Sequence, residues 1–257
     1  MDNLKISEKF TNEDIVKEML GVGFQYGYSK GRRNPSVESY ILTFKDKMAV
    51  INLEKSAQAL KKAIDFLVDV TSQGGVVLWV GNKPEAKLAI KKTALALNMP
   101  FVAERWIGGT LTNFSEIRKR VNRLLEIKEE EQKGGLAKYT KKERLVIDKE
   151  KKDLERYFSG IVNMDKKPKV LVLIDPKDEN TALREAKRLN LSVVALANTD
   201  CDIKDIDYPV VGNDYNSKSI DLFLKFLSEA VKEGKKRFEL SSKELNEDKE
   251  KLEVKNL

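Results

Sequence analysis

Three uninterrupted apolar runs, VVLWV at Val76–Val80, VLVLI at Val170–Ile174 and VVALA at Val193–Ala197, constrain this chain more than any other feature. A strand wetted on one face alternates apolar with polar residues, whereas a strand covered on both faces does not. Helical spacing recurs between the strand candidates. Glu85 to Asn98 follows the first run, Asn180 to Leu189 the second, and Ser217 to Lys232 follows a short strand at Tyr208–Val211. Upstream, Met48–Leu53 reads as a buried strand. Leu53–Ser72 reads as a helix with Leu60, Ala63, Ile64, Leu67 and Val68 on one face. Phe101–Ala103 is a further short strand. This alternation predicts a mostly parallel sheet with helices on both faces.

One segment breaks the alternation. Thr112 to Gly160 carries Ile117, Val121, Leu124 and Ile127 at heptad-like spacing, then a glycine break at Gly134-Gly135. A second charged helix follows from Lys141 to Phe158, with a weaker stripe of Leu145, Leu154, Phe158 and Ile161. Two helices about a glycine turn make a helical hairpin. Arms of about 20 residues reach roughly 30 Å, so the hairpin is expected to project from the sheet. The expected organisation is one discontinuous domain of residues 1–111 and 161–235, with a contacting N-terminal extension at 1–40. Residues 112–160 form the hairpin, and 236–257 a charged flexible tail.

The chain has no histidine and one cysteine, Cys201. That excludes Ser-His-Asp and Cys-His catalysis, histidine metal ligands and histidine pH switches. It also excludes internal disulfides and multi-cysteine zinc sites, and a reducing, cytoplasmic setting fits. The opening MDNLKISEKF lacks the apolar stretch of a signal peptide. No apolar run approaches the roughly 18 residues of a membrane helix, so no membrane partner is expected. Lys plus Arg is 48 against 41 for Asp plus Glu, a net +7 that tilts toward a polyanionic partner. An enzyme using carboxylates, lysine or a bound cofactor remains open, as does a binding protein.

Four constellations could carry chemistry. Gly21-Val22-Gly23 with Gly27 lacks both the G-x-G-x-x-G spacing and a preceding strand, so it reads as a turn. Gly81-Asn82-Lys83-Pro84 lies where VVLWV feeds a helix. There N–H groups and the helix dipole favour an anion, and open α/β sheets bind ligands. Lys83 can meet a nucleotide or an RNA phosphate, or be a solvated turn lysine. Asp175 with Asp200, Asp202, Asp205 and Asp207 could gather a magnesium ion or serve as ordinary turn residues. Cys201 reads as a small buried residue, since no histidine can activate it.

The fourth constellation is basic and aromatic. Tyr26, Tyr28, Lys30, Arg32 and Arg33 share one loop. Arg105-Trp106 precedes GGTLTN, and Arg118, Lys119, Arg120 and Arg123 lie on the first arm of the hairpin. Such residues neutralise phosphates, bond ribose oxygens and stack on bases. The competing readings are a nucleotide- or sugar-phosphate-binding enzyme, and a coiled-coil interaction module with no RNA role.

Seven strings together resemble one family. They are GYSKGRRNPSVESYI, VINLEKS, VLWVGNKPEA, ERWIGGTLTNFSEIRKR, GIVNMDKKPKVLVLIDP, VVALANTDCDIKDIDYPVVGND and SIDLFL. The family is that of the bacterial-type second protein of the small ribosomal subunit. The resemblance spans roughly Glu18 to Glu229, and RWIGGTLTNF is its most specific part. It implies a flavodoxin-like or Rossmann-like α/β/α domain with a protruding coiled-coil hairpin. It implies a non-enzymatic protein, with no metal, cofactor or small-molecule substrate expected, that binds small-subunit ribosomal RNA between head and body, among neighbouring small-subunit proteins. It also implies help in docking the largest small-subunit protein. Arg32 and Asn34-Pro35 match the family's basic loop. Arg105, Trp106, Gly108, Gly109, Thr112 and Asn113 match its characteristic segment, while Asp175-Pro176 and Asn213-Asp214 match its sheet-edge turns. Gln25 and Tyr28 stand where the family usually has histidines, and Arg33 where it has tryptophan. The expected RNA contacts are therefore Lys30, Arg32, Arg33, Asn34, Lys83, Arg105, Trp106, Gly108, Gly109, Thr112, Asn113, Arg118, Lys119 and Arg120. Tyr26 and Tyr28 are candidates for a protein partner.

Overall fold

A computed structural model describes residues 11–255, with side chains at all of these except 136, 137 and 242–255. The first ten residues of the expected N-terminal extension and the last two of the tail lie outside the described residues.

The three long apolar runs and two shorter ones form a five-stranded sheet. Its strands are β4 (Val77–Val80), β5 (Phe101–Val102), β6 (Val170–Ile174), β7 (Ser192–Ala197) and β8 (Tyr208–Val211), in the order β5-β4-β6-β7-β8. Every pairing is parallel, with Leu78 opposite Leu171 and Val172 opposite Val194. Because side chains alternate across a strand, the sheet feeds two cores. On one face Trp79, Val172 and Leu196 pack with Leu60 and Ile64 of α2 (Leu53–Ser72), Ile90 of α3 (Pro84–Ala96) and Phe223 of α7 (Ser217–Lys255). On the other, Leu78, Leu171 and Ala195 pack with Ala186 of α6 (Asn180–Arg188), Ile117 of α4 (Phe114–Gln132) and Phe158 of α5 (Lys141–Phe158). The result is a sheet between two helical layers, consistent with the expected three-layer α/β/α class.

The helix pair α4 and α5 supplies the second core through Ile117, Val121, Leu124, Ile127, Leu154 and Phe158, all buried. Arg123 pairs with Glu150 at 3.3 Å and Lys128 with Glu155 at 3.0 Å, joining the two helices. Leu145, placed on the stripe by its spacing, is instead 64% exposed.

Two boundaries differ from expectation. Met48–Ile51 (β3) is not part of the parallel sheet. It is the centre of a separate antiparallel sheet between β1 (Tyr26–Ser29) and β2 (Ile41–Lys45), and only Ala49 and Ile51 of its four residues are buried. Strands β2 and β3 are joined by Asp46-Lys47, both left-handed at φ 51° and 67°, the geometry of a tight hairpin turn. The helix α1 (Asn12–Gly21), whose Asp14 N–H donates to Thr11 Oγ1, precedes this sheet. Finally, α7 does not stop at Lys232 but continues through Lys255. Gly234 does not break it: a Cβ there would run into Thr71 of α2, so the glycine marks close helix packing.

Candidate nucleic-acid interface

The order β5-β4-β6 places a topological switch between β4 and β6, the position at which open α/β sheets form a crevice beyond the strand ends. The chain fills this crevice with its own charges. Lys83 is buried, with Nζ 2.5 Å from Asp175 and 2.7 Å from Asp214. Asp214 also accepts from Asn198 at 2.7 Å. The Asn82 N–H, which an incoming phosphate would need, donates instead to the buried Glu179 carboxylate at 3.0 Å. Burial pushes the Glu179 carboxyl up to about 7. Lys83 is therefore removed from the expected RNA contacts, because both its charge and its donors are consumed inside. The same occupancy leaves no cradle for a nucleotide phosphate.

The acidic residues are likewise committed. Asp200 pairs with Lys177 at 2.7 Å, Asp205 pairs with Lys187, Asp202 accepts the Lys204 N–H, and Asp207 accepts the Val193 N–H. Among the described residues no group of three metal-ligating side chains is placed to hold an ion. Cys201 is buried beside Asp175, and burial, then that carboxylate, pushes its thiol up. Gly23, at φ 75°, directly follows the C-cap of α1 and ends that helix.

The characteristic segment Arg105–Asn113 is organised by a residue that sequence reasoning missed. Glu185 of α6 is buried and takes five hydrogen bonds. Its Oε1 accepts Trp106 Nε1 at 3.1 Å and the Gly109 N–H at 2.7 Å. Its Oε2 accepts the Leu111 and Thr112 N–H groups at 3.0 and 3.1 Å and the Thr112 hydroxyl at 3.2 Å. Burial pushes its carboxyl up, and the donors together pull it below its ordinary value. Trp106 is accordingly buried, not a stacking surface, and Gly109 and Thr112 spend their donors on Glu185. Gly109 also requires its missing side chain, at φ 92°. Arg105, Gly108 and Asn113 face solvent. The signal for Glu185 was its position three residues after Ala182, on the buried stripe of α6.

On α4, Arg118 turns back to the Val162 and Met164 carbonyls and to Asp165 at 3.0 Å, so it ties the return segment down. Lys119 is exposed beside Glu116, and Arg120 is exposed. In the N-terminal loop, Arg32 lies 4.9 Å from the Tyr28 ring centroid. Lys30 and Arg33 lie 5.6 and 5.7 Å from that of Phe44, a second residue the sequence left unassigned. Arg33 also pairs with Glu38 at 3.3 Å. Asn34 caps the following turn, accepting the Ser36 N–H, and its own N–H donates to the Thr199 carbonyl. Tyr26 is exposed, and Tyr28 is anchored through its N–H to Thr199 Oγ1.

Solvent-facing cations thus come from three segments of one framework, the loop at Lys30–Arg33, Arg105 and the start of α4. Relatives named small ribosomal subunit protein uS2 are similar to this chain. That of Acidothermus cellulolyticus is 40% identical over 220 residues, 85% of this chain and 80% of its own. That of Mycobacteroides abscessus is 37% identical over 219 residues, 85% of this chain and 79% of its own. Residues 19–234 match the family model described as ribosomal protein S2, a range holding both the Glu185-pinned segment and the basic loop. The chain belongs to the ribosomal protein S2 family.

Proposed function

We propose that this chain is a structural protein of the small ribosomal subunit in the cytoplasm, and not an enzyme. The observation that carries this is the match, over 85% of the chain, to proteins named for that subunit. The filled crevice at the strand ends agrees with it, since the position where such sheets hold substrates is taken by Lys83, Asp175 and Asp214. Its partners are small-subunit ribosomal RNA, bound between head and body, and neighbouring small-subunit proteins. RNA phosphates are met by Lys30, Arg32, Arg105, Lys119 and Arg120, and Gly108 and Asn113 lie open to a close backbone approach. The paired α4 and α5 form a coiled-coil arm whose first turns carry part of this surface. The exposed Tyr26 ring faces a protein partner, with the largest small-subunit protein as the docking candidate.

The test is sedimentation of a source-cell lysate on sucrose gradients at low and high salt, probing for this chain. The chain should travel with the small subunit and leave it only at high salt. Its affinity for ribosomal RNA should fall with a log–log slope of about −0.7 to −0.9 per phosphate contact. A chain that stays at the top of the gradient at every salt concentration refutes the proposal.

A further inference from the structure

Tyr215 follows the ion cluster at the end of β8, outside every segment considered above. The residue is 60% exposed, yet its backbone is fixed. The Tyr215 N–H donates to Asn213 Oδ1 at 3.0 Å, and Asn213 is bolted to the N-terminal loop through the Gly23 and Phe24 carbonyls. Lys83 Nζ sits 5.0 Å from the ring centroid, a buried cation on one face of an otherwise open ring. Tyr28 meets this ring edge-on at 6.0 Å and 84°, and Tyr28 in turn carries the Arg32 guanidinium. Two aromatic rings and one planar cation are thus held side by side, with little ordering left to do on binding.

We propose that Tyr215, with the Tyr28–Arg32 pair, is a stacking site for one unpaired nucleobase of RNA. This rests on the RNA-bound reading above and adds to it a contact that reads bases by their flat faces instead of phosphates. Unpaired bases stack on aromatic rings and on guanidinium planes. The charge around the rings favours a nucleotide over a protein side chain. Arg32 is exposed next to Lys30, and Asp175 and Asp214, the carboxylates nearest Lys83, are buried, with one of their two charges offset by that lysine.

The probe is a nine-nucleotide single-stranded RNA carrying one 2-aminopurine, titrated with the full chain while its fluorescence is followed. Stacking quenches the probe. Tyr215→Ala should weaken binding about five- to hundredfold and abolish the quench, while Tyr215→Phe stays within about twofold of the parent. Tyr215→Leu keeps apolar bulk without the ring and should behave like the alanine variant. Arg32→Ala should reduce the salt slope by about 0.7, whereas Tyr215→Ala leaves the slope unchanged. An unquenched probe with the parent chain overturns the proposal, as does Tyr215→Ala binding like the parent. Loss of a protein cross-link in the intact subunit, with probe binding intact, would reassign the rings to a protein contact and also overturn it. Co-sedimentation of the Tyr215→Ala chain with the small subunit keeps this result separate from the ribosomal reading.

Discussion

Replacing Glu185 with glutamine tests whether one carboxylate holds the family's characteristic segment in shape. Glutamine keeps one oxygen and turns the other position into an NH2 group. If the NH2 replaces Oε1, it faces Trp106 Nε1 and the Gly109 N–H; if it replaces Oε2, it faces the Leu111 and Thr112 N–H groups. Either way two N–H donors lose their acceptor around a buried side chain, and in the second case the Thr112 hydroxyl must also turn to accept from the new NH2. Each such donor costs about 1–3 kcal/mol, so Glu185→Gln should destabilise the chain by about 3 kcal/mol. In a chain of this size that lowers Tm by about 6–12 °C. The pH dependence follows from the lowered pKa of Glu185. A carboxyl depressed in the folded state contributes fully above its unfolded value of about 4.3, and the contribution is lost as pH falls through the folded value. The gap between parent and variant should therefore be full at neutral pH and narrow in acid. Urea unfolding followed by tryptophan fluorescence measures it, because Trp106 is itself one of the donors. A shift below about 0.5 kcal/mol at pH 7, or a gap that does not narrow in acid, would refute the reasoning.

Four further outcomes follow from the same geometry. Glu179→Gln should stabilise the chain in alkali, because burial raises this carboxyl to about 7, so its ionised form opposes folding above that pH. The gain is up to about 3 kcal/mol near pH 8.5 and under about 1 kcal/mol at pH 5, read from Tm against pH. Gly109→Ala should cost about 1–3 kcal/mol, given its φ of 92° and a Cβ 3.2 Å from that of Asn113. Gly108→Ala, with open space around it, should leave Tm unchanged, so any loss of its incorporation into subunits reports a partner's approach. Replacing Arg105 and Arg120 together with alanine should leave Tm within about 1 °C, since both are exposed. The same change should reduce the salt slope of RNA binding by about 1.4–1.8.

The parallel sheet was legible because burial on both faces leaves a local mark, an apolar run with no alternation. The antiparallel sheet left none. Strand β1 is written in glycine and tyrosine, and the Asp46-Lys47 turn lacks the glycine that usually announces a hairpin. Met48–Ile51 therefore looked like one more member of the alternating series. The last helix departs in the other direction. Its apolar pattern fades after Lys232, yet it runs on, and Gly234 admits Thr71 of a neighbouring helix, a contact no local window contains. The site divides the same way. Exposed cations were found by composition, whereas Lys83 and Trp106 were misplaced because their partners lie 131 and 79 residues away in the chain.

The two misplaced residues show how a ligand-binding architecture can serve an assembly. In an open α/β sheet the strand ends converge on a crevice that suits a small anion. Here a lysine occupies that position as the anion's counter-charge, but two aspartates of the same chain take the anion's part. Next to it, a glutamate takes the N–H at the head of α3. The segment most specific to the family is treated alike, with four of its residues turned inward to Glu185. Buried polar groups satisfied in this way give a rigid frame. What they do fix is the placement of groups that remain outside: Arg105 beside Trp106, Tyr215 over Lys83, and Tyr28 against Thr199. The interior polar network thus fixes where each of these surface groups stands on the fold.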